Sequence, residues 1–253
     1  MILYHIADLD GHCSGAVVKK FSTLPLYPFN YGYEVPKLQP ITYMVDCSVP
    51  DMLSLNTELI WIDHHQHEQN KLPIKGIRRI GVAACELCCE YFNWPVPEAV
   101  KLLGAYDVWN LNEEVLHLQY GMRQYNTDPR YFDWEPIFNG NIKEIMAQGK
   151  IIYNYQKERD ARLNIYEDTF MGYKALMCNS QYCNSLSFNQ ASLTYQEKYG
   201  TIPELLVAYY RKGDYMMYSL YTYGDVDCSA LAKQRGGGGH KKAAGYREAI
   251  SKR

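Results

Sequence analysis

The side chains best suited to chemistry are carboxylates and imidazoles set just after apolar runs. His5-x-x-Asp8-x-Asp10-Gly11 follows the first run, Asp46-Cys47-Ser48 the second, Asp63-His64-His65 the third, and Asp107 follows a later apolar stretch. If Asp8, Asp10, Asp46 and Asp107 converge, their negative charges share one cleft, a repulsion that lifts pKa values or requires cations. Two divalent ions match four carboxylates in charge, with His5 and His64 completing the shells through neutral imidazole nitrogens. Oxygen and imidazole donors without a thiolate favour Mn²⁺, with Mg²⁺ and Co²⁺ as alternatives, over structural zinc. His65 is expected behind the ligands or facing substrate, because successive residues leaving a strand point in different directions. His67 reads as a solvated loop histidine. Asp8 or Asp46 alone would also fit a helix N-cap. The joint occurrence of four such blocks is what points to a metal site.

The elements that must position these groups follow from apolar periodicity. Ile2–Ala7, Ile41–Val45 and Glu58–Ile62 predict strands, each ending in acidic residues. Ala83–Phe92 and Pro97–Tyr106 predict helices, the second opened by proline at a permitted first-turn position. That alternation is the rhythm of a parallel sheet, whose strands share one carboxyl edge where ligands bind. From Trp134 to about Asp168, the spacing of Ile142, Ile145, Met146, Ile151, Ile152, Tyr155, Leu163 and Tyr166 predicts a connecting helix. Beyond Gly172, Tyr173–Cys178, Leu205–Arg211 and Met216–Tyr223 predict strands of a smaller sheet. Four consecutive glycines, Gly236 to Gly239, predict a loop, since a helix would lose too much entropy there.

A chain of 253 residues, 47% apolar and 21% charged, with net charge −2, is long enough for one large domain or two ordinary ones. These values exclude a disordered chain, a collagen-like repeat, a disulfide-dense miniprotein and a uniformly basic nucleic-acid glove. Positive charge is local: Lys233 to Arg253 holds seven Lys/Arg against one Glu. No apolar run suits a membrane helix and no leader pattern opens the chain, so the expectation is a cytoplasmic protein without a membrane partner. The eight cysteines, Cys85, Cys88 and Cys89 among them, read as buried thiols. Most of the 24 tyrosines read as packing, with those around Tyr221 and Tyr223 as candidates for stacking bases.

On these blocks the sequence resembles the DHH phosphoesterase family, in the subgroup with a C-terminal DHHA1 domain. The residues that carry the resemblance are His5-Ile6-Ala7-Asp8-Leu9-Asp10-Gly11, Asp46, Asp63-His64-His65, Asp107 and the run Gly236 to Gly245, covering nearly the whole chain in the family's order. The resemblance implies an α/β fold: a catalytic parallel-sheet domain with helices on both faces (1–130), a helical connector (131–171) and a smaller α/β substrate-binding domain (172–253). It also implies a dinuclear metal hydrolase in which activated water attacks phosphorus in line. His5 and Asp8 would hold one ion, Asp10, His64 and Asp107 the other, and Asp46 would bridge. Asp63 would orient His64, and His65 would face the phosphate.

The glycine block resembles the family's substrate anchor, placing Gly237, Gly238, Gly239, His240 and Lys241 at the substrate's end. One departure stands out. Many members carry a phosphate-clamping arginine in a Ser-x-Arg, where this chain has Ser219-Leu220-Tyr221. Tyrosine cannot form a bidentate phosphate fork, so the clamp lies elsewhere, on Lys241, Arg235 or Arg211, or Tyr221 stacks on a base. The implied substrates are short single-stranded RNA or DNA, or small nucleotides. The alternatives are cyclic or linear dinucleotides and nucleotide bisphosphates, and, in a different class, a non-catalytic nucleic-acid-binding module.

Overall fold

The run after Met1 forms β1 (Ile2–His5), buried at all its positions, as a strand flanked by parallel neighbours and covered on both faces must be. The computed structural model describes residues 1–49, 58–65 and 68–250. It divides into a first unit, Met1–Tyr153, and a second, Asn154–Arg253. In the first unit, β2 (Leu26–Phe29), β3 (Ile41–Val45) and β4 (Glu58–Ile62) complete a parallel sheet of order β2-β1-β3-β4. Tyr4 pairs with Val45 and Val45 with Ile62. The residues that follow, His5, Asp46 and Asp63, therefore stand at one level at the ends of neighbouring strands. β2 escapes the sequence pattern because Pro28 sits inside it, a residue that only an edge strand tolerates.

Helices α1 (Leu9–Phe21), α2 (Ala84–Tyr91), α3 (Glu98–Asp107), α4 (Glu113–Met122) and α5 (Glu135–Phe138) contribute to one apolar core with Ile2, Tyr4, Val45, Ile60 and Ile62 of the sheet. On the opposite face Leu3, Met44 and Trp61 pack with Leu38, Cys47, Val49 and Ile74 from connecting segments. Residues 50–57, between β3 and β4, lie outside the described residues, as does His67. All eight cysteines are buried and unpaired.

The connecting helix is shorter than its periodicity predicts. α5 ends before Gly140, at φ 78°, and α6 runs over Lys143–Asp160. Leu163 falls in the turn after α6, and Tyr166 lies in β5 (Ile165–Phe170). β5 pairs antiparallel with β6 (Tyr173–Asn179), so a sheet partner outside the local window overrides the helical spacing.

The second unit adds α7 (Asn189–Tyr199), β7 (Leu205–Lys212), β8 (Tyr215–Tyr221), α8 (Cys228–Lys233), β9 (Gly238–Gly239) and β10 (Ala243–Ala249). The sheet order is β5-β6-β7-β8-β10-β9, with only β6 and β7 parallel and α7 within their crossover. One face packs on α8 through Leu231 and Ala232, the other on Phe188 and Tyr195. No helix among the described residues is long and apolar enough to cross a membrane.

Candidate metal centre

Asp46, the first residue beyond β3, has φ 55°, a left-handed conformation that costs a non-glycine residue roughly 1–2 kcal/mol. Its side chain is 1% exposed, yet neither carboxylate oxygen receives a hydrogen bond. The imidazoles of His5 and His64 stand at 3.4 Å from Oδ2 and Oδ1 respectively. A buried carboxylate in a strained backbone with no donor is expensive unless something cationic meets it.

Asp8 has two duties. It is the N-cap of α1, with Oδ1 accepting from Gly11 N at 2.9 Å, while Oδ2 lies 3.2 Å from His5 Nδ1. Capping and cluster membership are thus shared between its two oxygens. Gly11 is required by the same turn, since a Cβ there would stand 2.2 Å from the His5 carbonyl oxygen. Asp10, in the first turn of α1, caps a different helix. Its oxygens accept from Ala84 N and Cys85 N, each at 2.8 Å, supplying the cap that α2 lacks at Ala83. Held in that way, Asp10 Oδ2 lies 3.7 Å from His64 Nε2, and Asp107, the last residue of α3, approaches the same nitrogen to 3.1 Å.

Asp63 corrects one expectation. Its Oδ1 accepts from the backbone N–H groups of His64 and His65 at 2.8 and 3.1 Å and lies 2.7 Å from His65 Nδ1. It therefore orients the ring of His65, not that of His64. Residues two apart on an extended segment share a side, so Asp63 meets His65 while the His64 ring turns to Asp10, Asp46 and Asp107. Trp61 Nε1 donates to Asp63 Oδ2 at 3.2 Å, fixing the carboxylate from behind. His12, which no sequence signal marked, braces the loop below: its Nε2 meets the Ile6 carbonyl at 3.0 Å and its Nδ1 the Thr127 hydroxyl at 2.8 Å.

The electrostatics follow from crowding. Burial opposes protonation of His5, but Asp46 and Asp8 outweigh it and raise the group to about 10. The same contest, with Asp46, Asp10 and Asp107 as the acids, takes His64 to about 10. Burial and then Asp10 push Asp107 up to about 7, and burial with neighbouring carboxylates lifts Asp10 and Asp46 as well. Donor atoms gather in overlapping sets: His5, Asp8 and Asp46; Asp10, His64 and Asp107; and Asp46, His64 and His65, each set within 4.8 Å. Hard oxygen and imidazole donors, with both Asp46 oxygens and His5 Nδ1 lacking hydrogen-bond partners, fit divalent cations.

The remaining predicted site residues belong to the second unit. Gly236 and Gly237 form the expected loop, but Gly238 and Gly239 pair with Gly245 and Ala244 as β9, because the chain must turn back along β10. His240 and Lys241 are exposed in the turn that follows, closed by His240 N donating to the Ala243 carbonyl at 2.7 Å. Tyr221 ends β8, half-buried beside Leu206 and Phe188.

No protein-family model matches the sequence, and no curated protein does. Solved structures do. The pGpG-specific phosphodiesterase of Vibrio cholerae superposes with a TM-score of 0.56 at 13% identity, covering 98% of this chain and 93% of that one. A DHH domain described as a member of a family of ribosomal proteins gives 0.55 at 14%, covering 98% and 82%. RecJ of Thermus thermophilus, solved with Mn²⁺, gives 0.50 at 12% and covers 99% of this chain, which spans 49% of RecJ. The residues that resemble the DHH family in sequence thus sit in a chain whose fold is that of DHH-domain proteins.

Proposed function

We propose that the protein is a phosphoric ester hydrolase, a phosphodiesterase or exonuclease that uses two divalent cations, Mn²⁺ foremost, to cleave short oligonucleotides or small nucleotides in the cytoplasm. The observation that carries this reading is Asp46, buried, strained and without a hydrogen-bond donor between two sets of donor atoms. His5 and Asp8 would hold one ion, Asp10, His64 and Asp107 the other, with Asp46 shared. When bound, the cations would supply a nucleophilic water near neutral pH and neutralise charge developing on phosphoryl oxygens. Asp63 keeps the His65 ring in place, and His65 meets the phosphoryl group. The first domain (1–130) carries this chemistry. The second (172–253), joined by residues 131–171, carries the anchor for the substrate's end, with Gly237, Gly238, Gly239, His240 and Lys241 binding phosphate and Tyr221 stacking on a base.

The similarity in fold to a pGpG-specific phosphodiesterase favours, within this reading, a linear dinucleotide as substrate. The test is Mn²⁺-supported turnover of a panel: a labelled RNA dinucleotide, a pentamer, a long DNA strand, a cyclic dinucleotide and pyrophosphate. Turnover of the short linear substrates, stopped by EDTA and restored better by Mn²⁺ than by Ca²⁺, is the expected result. Binding of oligonucleotides without turnover of any member would overturn it in favour of a non-catalytic binding module.

A further inference from the structure

One face of α6 packs on α4. A Cβ on Gly149 would stand 1.8 Å from the His117 carbonyl oxygen, and the Tyr153 ring lies 5.8 and 5.5 Å from the rings of His117 and Tyr120. The opposite face carries Glu144, Ala147, Ile151, Tyr155 and Glu158, which recur every three or four residues and are all exposed. The turn that closes the helix, with Ala161 N donating to the Lys157 carbonyl at 3.0 Å, continues the row to Arg162. Ile151 is 71% exposed and Tyr155 68%, one turn apart in the middle of that row. A single exposed apolar side chain is ordinary on a protein surface. Here an alanine, an isoleucine and a tyrosine form a stripe with charges at both ends, and the order of those charges identifies what covers it.

We propose that this face of α6 is an interface with a second copy of the chain, the two helices running antiparallel about a two-fold axis level with residue 153. In that register Ile151 lies against the partner's Tyr155 and Tyr155 against the partner's Ile151, so each apolar side chain is covered. Glu144 meets the partner's Arg162, and Arg162 the partner's Glu144. Glu158 faces the amide of the partner's Gln148, a residue whose Oε1 already accepts from Gln124 and Tyr125, leaving its N–H groups to donate. A parallel pair would instead set Glu144 on Glu144 and Arg162 on Arg162, which is repulsive. A row that complements itself only when reversed has the symmetry of an isologous dimer. From Glu144 to Arg162 the row is about 27 Å long at the rise of an α-helix. Contact along one such helix pair is smaller than the roughly 1,200–2,000 Å² of a standard interface, so the dimer is weak, with Kd on the order of 10 μM.

Sedimentation velocity of the full chain tests it, and in the wild type monomer should give way to dimer between about 1 and about 200 μM. Ile151→Lys should raise Kd at least about tenfold. Glu144→Arg and Arg162→Glu should each raise it by about three- to tenfold, and the two together should bring it back to within about threefold of the wild type. The substituted positions are exposed, and circular dichroism with thermal melts confirms that each variant is folded. A monomer at every concentration would overturn the proposal. A dimer that Ile151→Lys and the charge reversals leave untouched would overturn it too, since the copies would then meet by another surface. Weakening by both single reversals without recovery in the double variant would overturn the antiparallel register.

Discussion

At the carboxyl edge of the first sheet Asp46 is buried with both oxygens lacking a donor, in a left-handed backbone. The second unit's glycine block differs: most of its glycines have a reason in packing. Gly236, at φ 73°, closes the end of α8, its N–H donating to the Lys233 carbonyl at 3.1 Å. A Cβ on Gly237 would stand 2.1 Å from the Gly245 carbonyl oxygen, and one on Gly239 2.6 Å from the Ala244 Cα. Gly238 alone has open space where a side chain would begin and no left-handed backbone. Buried polar atoms without hydrogen-bond partners therefore mark the first region, as they would a cation site, while the second is largely accounted for by its own fold. Runs of glycine are weaker functional evidence than buried acids without donors.

The contrast can be broken most sharply at Asp46. Asp46→Ala should reduce turnover to below about 1% of wild type. In EDTA it should change stability by no more than on the order of 1 kcal/mol, since the cost of burying the carboxylate offsets its attraction to His5 and His64. Activity assays and thermal melts check both halves, and a large loss of stability would mean the carboxylate is structural. Next in size, His65→Ala should lower kcat by roughly a hundredfold while metal content per chain stays that of the wild type. Metal analysis showing depletion would make His65 a ligand through the set it forms with Asp46 and His64.

In the second unit, Gly237→Ala should cost about 1–3 kcal/mol in chemical denaturation, because backbone must move. Gly238→Ala should stay within about 0.5 kcal/mol. A rise in KM in Gly238→Ala would then report a ligand contact free of any folding effect. A pH-dependent effect is expected at a carboxylate whose needs are met. Asp128 accepts from Tyr4 Oη at 2.7 Å and from Arg130 Nη2 at 2.6 Å. Burial alone would raise Asp128, but the Arg130 fork outweighs it and brings the group down to about 2, from 3.8. A depressed folded-state pKa stabilises above the unfolded value, so the contribution, on the order of 1–2 kcal/mol, is lost as pH falls from about 4 towards about 2. Asp128→Asn should flatten that part of an acid-denaturation curve.

Much of the first unit was legible because its signals are local. β3 and β4 have the bounds their apolar runs predict, and α2 and α3 differ from expectation by a residue or so at each end. β2 was hidden by Pro28, and β10, Ala243-Ala244-Gly245-Tyr246-Arg247-Glu248-Ala249, carries too little apolar alternation to be seen without its partner β8. α7 buries only Ser192 and Tyr195, so no apolar stripe announces it.

The amino-acid sequence by itself determined which acids and histidines stand at strand ends, because residue type and strand period are local properties, and with them the kind of chemistry to look for. Tertiary structure alone decided what each oxygen does. Asp10 caps α2 from α1, donor and acceptor standing 74 and 75 positions apart in sequence. Asp46 takes a left-handed turn that its residue type allows but does not dictate, and Asp63 chooses His65 over His64. These outcomes depend on which backbone groups distant segments bring within hydrogen-bond reach, and such distances come into existence only when the sheet and its helices pack.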